Sequence, residues 1–219
     1  MSRDPSNANA AEQTIGESTF SERKARLADF GLFFRKFLEK GRTISSAVPS
    51  SPAMVDRILE HIDFSRPSTI VELGAGTGPV TEQISELLRP HHRFVMVEND
   101  ADFCEVLRRR FPEYPLLQVD ATKIAEPLAG LGVTKVDYVI SGLPTPNLPI
   151  RAKARLMRWL RKSLAPNGLF IQITVAPMIY RSFYSRLFDD VRYRMVWMNV
   201  PPGGVYRCAA PRNRLAKTA

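Results

Sequence analysis

Val71-Glu72-Leu73-Gly74-Ala75-Gly76-Thr77-Gly78 decides how the rest of the chain is read. A short apolar run, Thr69–Leu73, ends in a glycine-dense turn, and residues 80–88 follow with apolar positions at helical spacing. Glycine admits positive φ and lets a backbone come close to a ligand. The first amides of the following helix have no partner within it and face the turn. A glycine triplet alone says little and is compatible with a mere turn. Between a strand and a helix it marks a ligand loop of an α/β sheet.

Outward from this loop the chain alternates strands and helices. Strands are expected at Arg93–Glu98, 115–119, Val136–Ser141, 169–175, 193–199 and 205–210. Helices are expected at 101–111, 150–164 and 181–188. Pro166-Asn167-Gly168 introduces the fifth strand, and Pro201-Pro202-Gly203-Gly204 joins the last two. The order implies a mostly parallel seven-stranded sheet covered on both faces, closed by an antiparallel terminal hairpin.

Upstream, residues 1–19 are polar, lack apolar periodicity and read as a disordered tail. In 20–42, Leu27, Phe30, Phe34, Phe37 and Leu38 recur at helical spacing. Residues 23–42 hold seven Lys or Arg, two acids and four phenylalanines. That pattern fits an amphipathic helix lying in an anionic membrane interface. The alternative is a helix packed over the domain. Residues 43–66 read as a linker and a helix, 52–62, covering the ligand site, and 67–219 as the α/β domain.

The 219 residues carry a net charge of +9, which favours nucleic acid, an anionic membrane or an acidic substrate. Arg151, Lys153, Arg155, Arg158, Arg161 and Lys162 lie in a stretch with no acid. Cys104 and Cys208 lack metal-ligand spacing and read as free thiols in a reducing compartment. No apolar run reaches the roughly 18 residues needed to span a bilayer. The first twenty residues, with Glu12 and Glu17, form no signal peptide. A cytoplasmic protein, peripheral on the inner face of the membrane, is expected.

Two acidic positions complete the ligand loop. Glu98 closes the second strand with Asn99 beside it, where a carboxylate accepts from both ribose hydroxyls of an adenosine. Asp120-Ala121 follows the third strand, placed to meet an adenine. A dinucleotide requires G-x-G-x-x-G for its pyrophosphate. Here the spacing is G-x-G-x-G, with Glu72 two places before the first glycine. A carboxylate repels a pyrophosphate and attracts a sulfonium with its ammonium group. The charge balance therefore points to S-adenosyl-L-methionine, with S-adenosyl-L-homocysteine as product and no metal. The pattern E-x-G-x-G-x-G resembles class I methyltransferases, which implies their Rossmann-like fold.

Ser141-Gly142-Leu143-Pro144-Thr145 ends the fourth strand. Adenine amino methyltransferases carry Asn or Asp, then Pro-Pro or Leu-Pro, then an aromatic here to hold a flipped base. Ser141 and Thr145 depart from that pattern and argue against a nucleic-acid substrate. The segments Phe33-Phe34-Arg35-Lys36-Phe37-Leu38, Thr43-Ile44-Ser45-Ser46-Ala47-Val48-Pro49-Ser50-Ser51 and Val196-Trp197-Met198-Asn199-Val200-Pro201-Pro202 resemble bacterial phospholipid N-methyltransferases. These enzymes convert phosphatidylethanolamine stepwise to phosphatidylcholine, and are related in sequence to ribosomal RNA adenine dimethyltransferases.

The resemblance implies direct methyl transfer to phosphatidylethanolamine on an anionic membrane surface. Glu72 and Gly74 would hold the methionyl part, with Gly76 shaping the loop, Glu98 the ribose, and Asp120 with Ala121 the adenine, while Gly78, Asn99 and Ser141 complete the cofactor-binding set. The Ser141 carbonyl would orient the amine. Tyr180, Tyr206 and Arg207 would contact the head group, Arg207 through the lipid phosphate. The alternative is an RNA or DNA adenine N6-methyltransferase. It explains the charge and the loop, but not the phenylalanine face or the altered tip. RNA dimethylases also carry a C-terminal helical domain, which is not expected here.

Overall fold

The computed structural model describes residues 50–199 and 201–212. The expected tail at 1–19, the helix at 20–42 and the segment 43–49 lie outside the described residues.

Seven strands form one sheet: β1 (Thr69–Leu73), β2 (Arg93–Glu98), β3 (Leu116–Gln118), β4 (Val136–Ser141), β5 (Leu164–Thr174), β6 (Phe188–Val196) and β7 (Gly203–Pro211). Their order is β3-β2-β1-β4-β5-β7-β6. β7 runs antiparallel between β5 and β6, and the neighbouring pairs from β3 to β5 are parallel. This is the expected mostly parallel, Rossmann-like sheet with its antiparallel terminal hairpin. Its central strands are apolar on both sides because both faces are covered by helices.

One face is covered by α1 (Pro52–Leu59), α2 (Pro79–Leu87) and α3 (Ala101–Arg110), over a core that includes Met54, Ile58, Ile70, Ile84, Met96 and Ile171. The other is covered by α4 (Ala125–Gly130), α5 (Ile150–Ser163) and α6 (Pro177–Tyr184), over Val71, Val97, Val139, Leu156, Phe170 and Tyr184. Among the described residues, no helix is long and apolar enough to cross a membrane.

Several elements differ from expectation. α6 begins at Pro177, not near 181, because proline suits the first helical turn and Tyr180, Phe183 and Tyr184 share one face. β6 begins at Phe188, not near 193. Arg192 and Arg194 are exposed while Val191, Tyr193 and Met195 are partly buried, so an edge strand hides in a charged stretch. The Pro166-Asn167-Gly168 turn is an irregularity inside β5, since Leu164 pairs with Val136 and Leu169 with Tyr138. α4 is too short to leave a periodic signal.

The helix in the segment expected to cover the ligand site packs into the core. Met54, Val55 and Ile58 of α1 are buried against the sheet, next to β6 and β7. The Ser51 hydroxyl caps it by accepting from the Met54 amide at 3.3 Å. Asn199 ties this start to the β6–β7 turn. Its Oδ1 accepts from the Ser51 amide at 3.0 Å, and its Nδ2 donates to the Pro201 carbonyl at 2.8 Å. Two of the segments that carry the lipid-enzyme resemblance therefore meet across 148 positions of sequence. Asn199→Ala should cost about 1–3 kcal/mol by orphaning these groups. Thermal denaturation followed by circular dichroism should show Tm lowered by roughly 2–12 °C; an unchanged Tm would mean the tie contributes nothing.

Candidate active site

The glycine loop is built by three left-handed residues. Gly74, Gly76 and Gly78 have φ of +75°, +57° and +86°, a region costly for any side chain. Gly78 is further confined, because a Cβ there would lie 2.7 Å from the Phe111 ring and 3.1 Å from Leu107. Arg110 holds the same turn by donating to the Thr77 carbonyl at 2.5 Å and pairing with Glu82 at 3.0 Å. Gly76 is the opposite case: a Cβ there would meet nothing within 4 Å. The loop therefore packs through Gly78 and opens through Gly76.

Glu98 lies under the open part. Its Oε2 accepts the Gly76 amide at 2.9 Å, and its Oε1 accepts the Asn99 and Asp100 amides at 2.7 and 2.9 Å. Three amides use most of the roughly four lone-pair positions of a carboxylate. A ribose offering two hydroxyls competes with the single contact on Oε2, from Gly76. Asn99 is exposed, and its backbone rather than its side chain is engaged here. Asp120 caps the short turn Ala121–Lys123 by accepting the Thr122 amide at 2.8 Å, with Ala121 buried beside it.

Glu72 is 3% exposed and accepts the Thr81 hydroxyl at 2.6 Å. Burial pushes its carboxyl from the ordinary 4.5 up to about 8, against the opposing effect of Thr81, and the Glu98 charge adds to the rise. A buried acid in that condition suits a cation. Glu72, the open side of Gly76, and Glu98 thus fit an adenosyl sulfonium with an ammonium group.

The β4 tip is bound to this loop. The Gly142 amide donates to the Leu73 carbonyl at 3.0 Å, and Leu143 would lie 3.2 Å from a Cβ on Gly74. Ser141 is fully buried, its hydroxyl accepting the Leu143 amide at 3.3 Å. Behind the tip sits Gln172 of β5, also fully buried. Its Nε2 donates to the Leu143 and Ile173 carbonyls at 2.9 and 2.7 Å. Its Oε1 accepts the Thr145 and Tyr184 hydroxyls at 3.0 and 2.7 Å. The amide is fully satisfied. Sequence reasoning passed over Gln172, Thr81 and Tyr184; the available signal was a lone amide inside the apolar run of β5.

The three head-group candidates are not brought together. Tyr180 is buried on α6, where burial pushes its hydroxyl up and the nearby Thr174, the last residue of β5, opposes the rise. Tyr206 is 1% exposed and donates to the Pro177 carbonyl at 2.6 Å within an aromatic cluster with Tyr184 and Tyr193. Arg207 projects from the opposite face, as adjacent strand residues must. It pairs with Asp190 at 2.5 Å and its charge, after burial, depresses His61 near α1. Tyr206 and Arg207 therefore do not share one face of β7. In the cationic stretch, Lys153 and Arg155 reach back to Pro146 and Thr122. His91 and His92 lie before β2, at the far end of the sheet from the tips.

Residues 45–129 match the family described as ribosomal RNA adenine dimethylase. Over 185 residues the chain is 38% identical to an ornithine lipid N-methyltransferase of Singulisphaera acidiphila, covering 83% of this chain and 96% of that protein. The chain belongs to the class I S-adenosylmethionine-dependent methyltransferases. A second relative, a probable ribosomal RNA small subunit methyltransferase A of Thermococcus gammatolerans, is 25% identical over 114 residues, 51% of this chain and 40% of that one. Among solved structures, fibrillarin of Aeropyrum pernix with natively bound S-adenosylmethionine shares the fold, with a TM-score of 0.54 at 18% identity over 72% of this chain and 73% of that one.

In this methyltransferase the two glycines should respond differently. Gly78→Ala should destabilise by about 1–3 kcal/mol through overpacking, read as a lowered denaturation midpoint. Gly76→Ala should cost only about 1 kcal/mol of backbone strain yet weaken S-adenosylhomocysteine binding at least tenfold by calorimetry. Equal effects of the two would refute this division of labour.

Glu72 gives the methyltransferase a pH signature. The folded state keeps the proton up to about pH 8, while the unfolded chain releases it near 4.5. The native state thus binds more protons across that window, and ligand-free stability should fall as pH rises through it. Glu72→Gln should flatten the decline. Affinity for the cationic cofactor should instead rise with pH towards 8 in the wild type. Parallel pH series of melting and calorimetry, in both proteins, check the two trends.

Proposed function

We propose that this methyltransferase acts on the primary amine of a membrane aminolipid, at the inner face of the cell membrane, with residues 20–42 as an amphipathic anchor on anionic lipid. The observation that carries the reading is the match to an ornithine lipid N-methyltransferase over 96% of that protein. Phosphatidylethanolamine, the substrate expected from the sequence, and ornithine lipid both offer a primary amine beside an acidic group. The comparison favours ornithine lipid.

The tip geometry supports a small amine over a flipped base. A base needs an aromatic face or an arginine plane to stack on. The position after Leu143-Pro144 is Thr145, which is fully buried and bonded to Gln172. That leaves a rigid wall rather than a stacking platform.

When bound, S-adenosylmethionine supplies an electrophilic methyl carbon. The chain's part is to position and desolvate. Gln172 and Ser141 fix the backbone of Leu143, so the wall beside the amine does not yield. Exclusion of water disfavours the ammonium form and leaves a nitrogen with its lone pair. Orientation of that nitrogen at the Ser141 tip supplies the rate gain open to a reaction without covalent catalysis. Tyr180 is the remaining aromatic candidate for the methylated ammonium, by cation–π attraction.

Labelled methyl transfer should be measured on vesicles containing ornithine lipid, vesicles containing phosphatidylethanolamine, and RNA, with chromatographic separation of the lipid products. Label should enter lipid, ornithine lipid foremost, and not RNA. Label in RNA adenine with unlabelled lipid would overturn the proposal in favour of the nucleic-acid alternative.

A further inference from the structure

Exposed large hydrophobic residues are distributed very unevenly. Among the described residues there are seven: Leu87, Ile150, Val175, Met178, Ile179, Trp197 and Met198. Six of them sit on connections or helix starts at the carboxyl ends of the strands, where the methyl-transfer site is. Only Leu87, at the end of α2, lies at the other end. Trp197 and Met198 are 76% and 80% exposed on the β6–β7 turn; Met178 is 84% exposed at the start of α6. The two loops adjoin, since Thr174 pairs with Gly204 and Val175 lies 3.3 Å from where Gly203 would carry a Cβ. An apolar patch of this kind on a soluble face marks an interaction site.

Charge narrows the partner. No acidic residue occurs from Tyr138 to Phe188, and none follows Asp190. The two acids between, Asp189 and Asp190, lie at the opposite end of β6 and are paired with Arg212 and Arg207. Arg181 and Arg194 are exposed on the elements that carry the patch. The rim therefore combines a tryptophan, flexible aliphatic side chains and unopposed arginines. Tryptophan prefers the bilayer interface, and basic residues near it are drawn to anionic lipid.

We propose that this rim is a membrane-contact surface of the folded domain, in which Trp197, Met198, Met178 and Ile179 enter the interfacial layer of an anionic bilayer. The contact holds the strand tips against the head groups, so a substrate amine is taken without withdrawing the lipid. The choice of a bilayer as occupant rests on the aminolipid reading of the site.

The chain has two tryptophans, and Trp159 is buried in the core. Full-length Trp159→Phe leaves Trp197 as the sole indole. With vesicles of phosphatidylglycerol and phosphatidylethanolamine carrying brominated acyl chains, its emission should shift to the blue and be quenched at least twofold. The full-length double variant Trp197→Ser, Met178→Ser should lose at least tenfold of its activity on vesicles. Its activity on the same lipid dispersed in detergent micelles should stay within twofold of wild type.

Four results would overturn the proposal. The first is no vesicle binding in flotation, and the second is binding with unchanged Trp197 emission. The third is emission already blue before lipid is added and unaltered by it, which would mean that protein covers the rim. The fourth is an equal blue shift with RNA. Insertion of Trp197 without any lipid labelling would sink the substrate reading and leave this surface standing. Micelle activity without insertion would do the reverse.

Discussion

The amide of Gly76, 2.9 Å from the Glu98 carboxylate, joins the two halves of the cofactor cradle. It orients a loop whose backbone has positive φ at three glycines. Gly78 packs under Phe111 and Leu107, while Gly76 faces open space. The same loop hands its Leu73 carbonyl to Gly142, so the β4 tip is placed relative to the cradle by backbone alone. Everything at the strand tips is measured from this arrangement.

Around it, charge is divided along the chain. The carboxylates of Glu72, Glu98 and Asp120 all come from the first three strand ends, and a cationic donor is attracted there. The later half, from Tyr138 on, has acids only at Asp189 and Asp190. Burial of Glu72 makes the first half more selective, because its carboxyl ionises at neutral pH chiefly when a cation approaches. The proposed lipid surface belongs to the second half, whose two acids lie at the opposite end of β6.

The family model for ribosomal RNA adenine dimethylases matches the cradle, and the chain departs from a base-binding pattern at the tip. Residues 45–129, the matched family segment, end before β4. In the β4 tip a buried threonine stands where a base-stacking ring would be needed. Gln172 and Tyr184 fill the space behind it with a closed hydrogen-bond set. Such a set rigidifies a loop only when every member is satisfied, and here the amide has all its partners.

The glycine loop, the acidic strand ends and the alternation of strands and helices were legible from residue order. Each depends on a local rule: positive φ at glycine, side-chain periodicity, charge against charge. Tyr206 and Arg207 face opposite sides of β7 because adjacent strand residues alternate, and residue order does not say which side meets the ligand. β6 was read late because an edge strand needs only one apolar face. Gln172, the tie between Ser51 and Asn199, and the gathering of six exposed hydrophobic residues on one rim were decided by tertiary structure alone. All three join residues far apart in the chain, and only the closed sheet brings them within reach of one another.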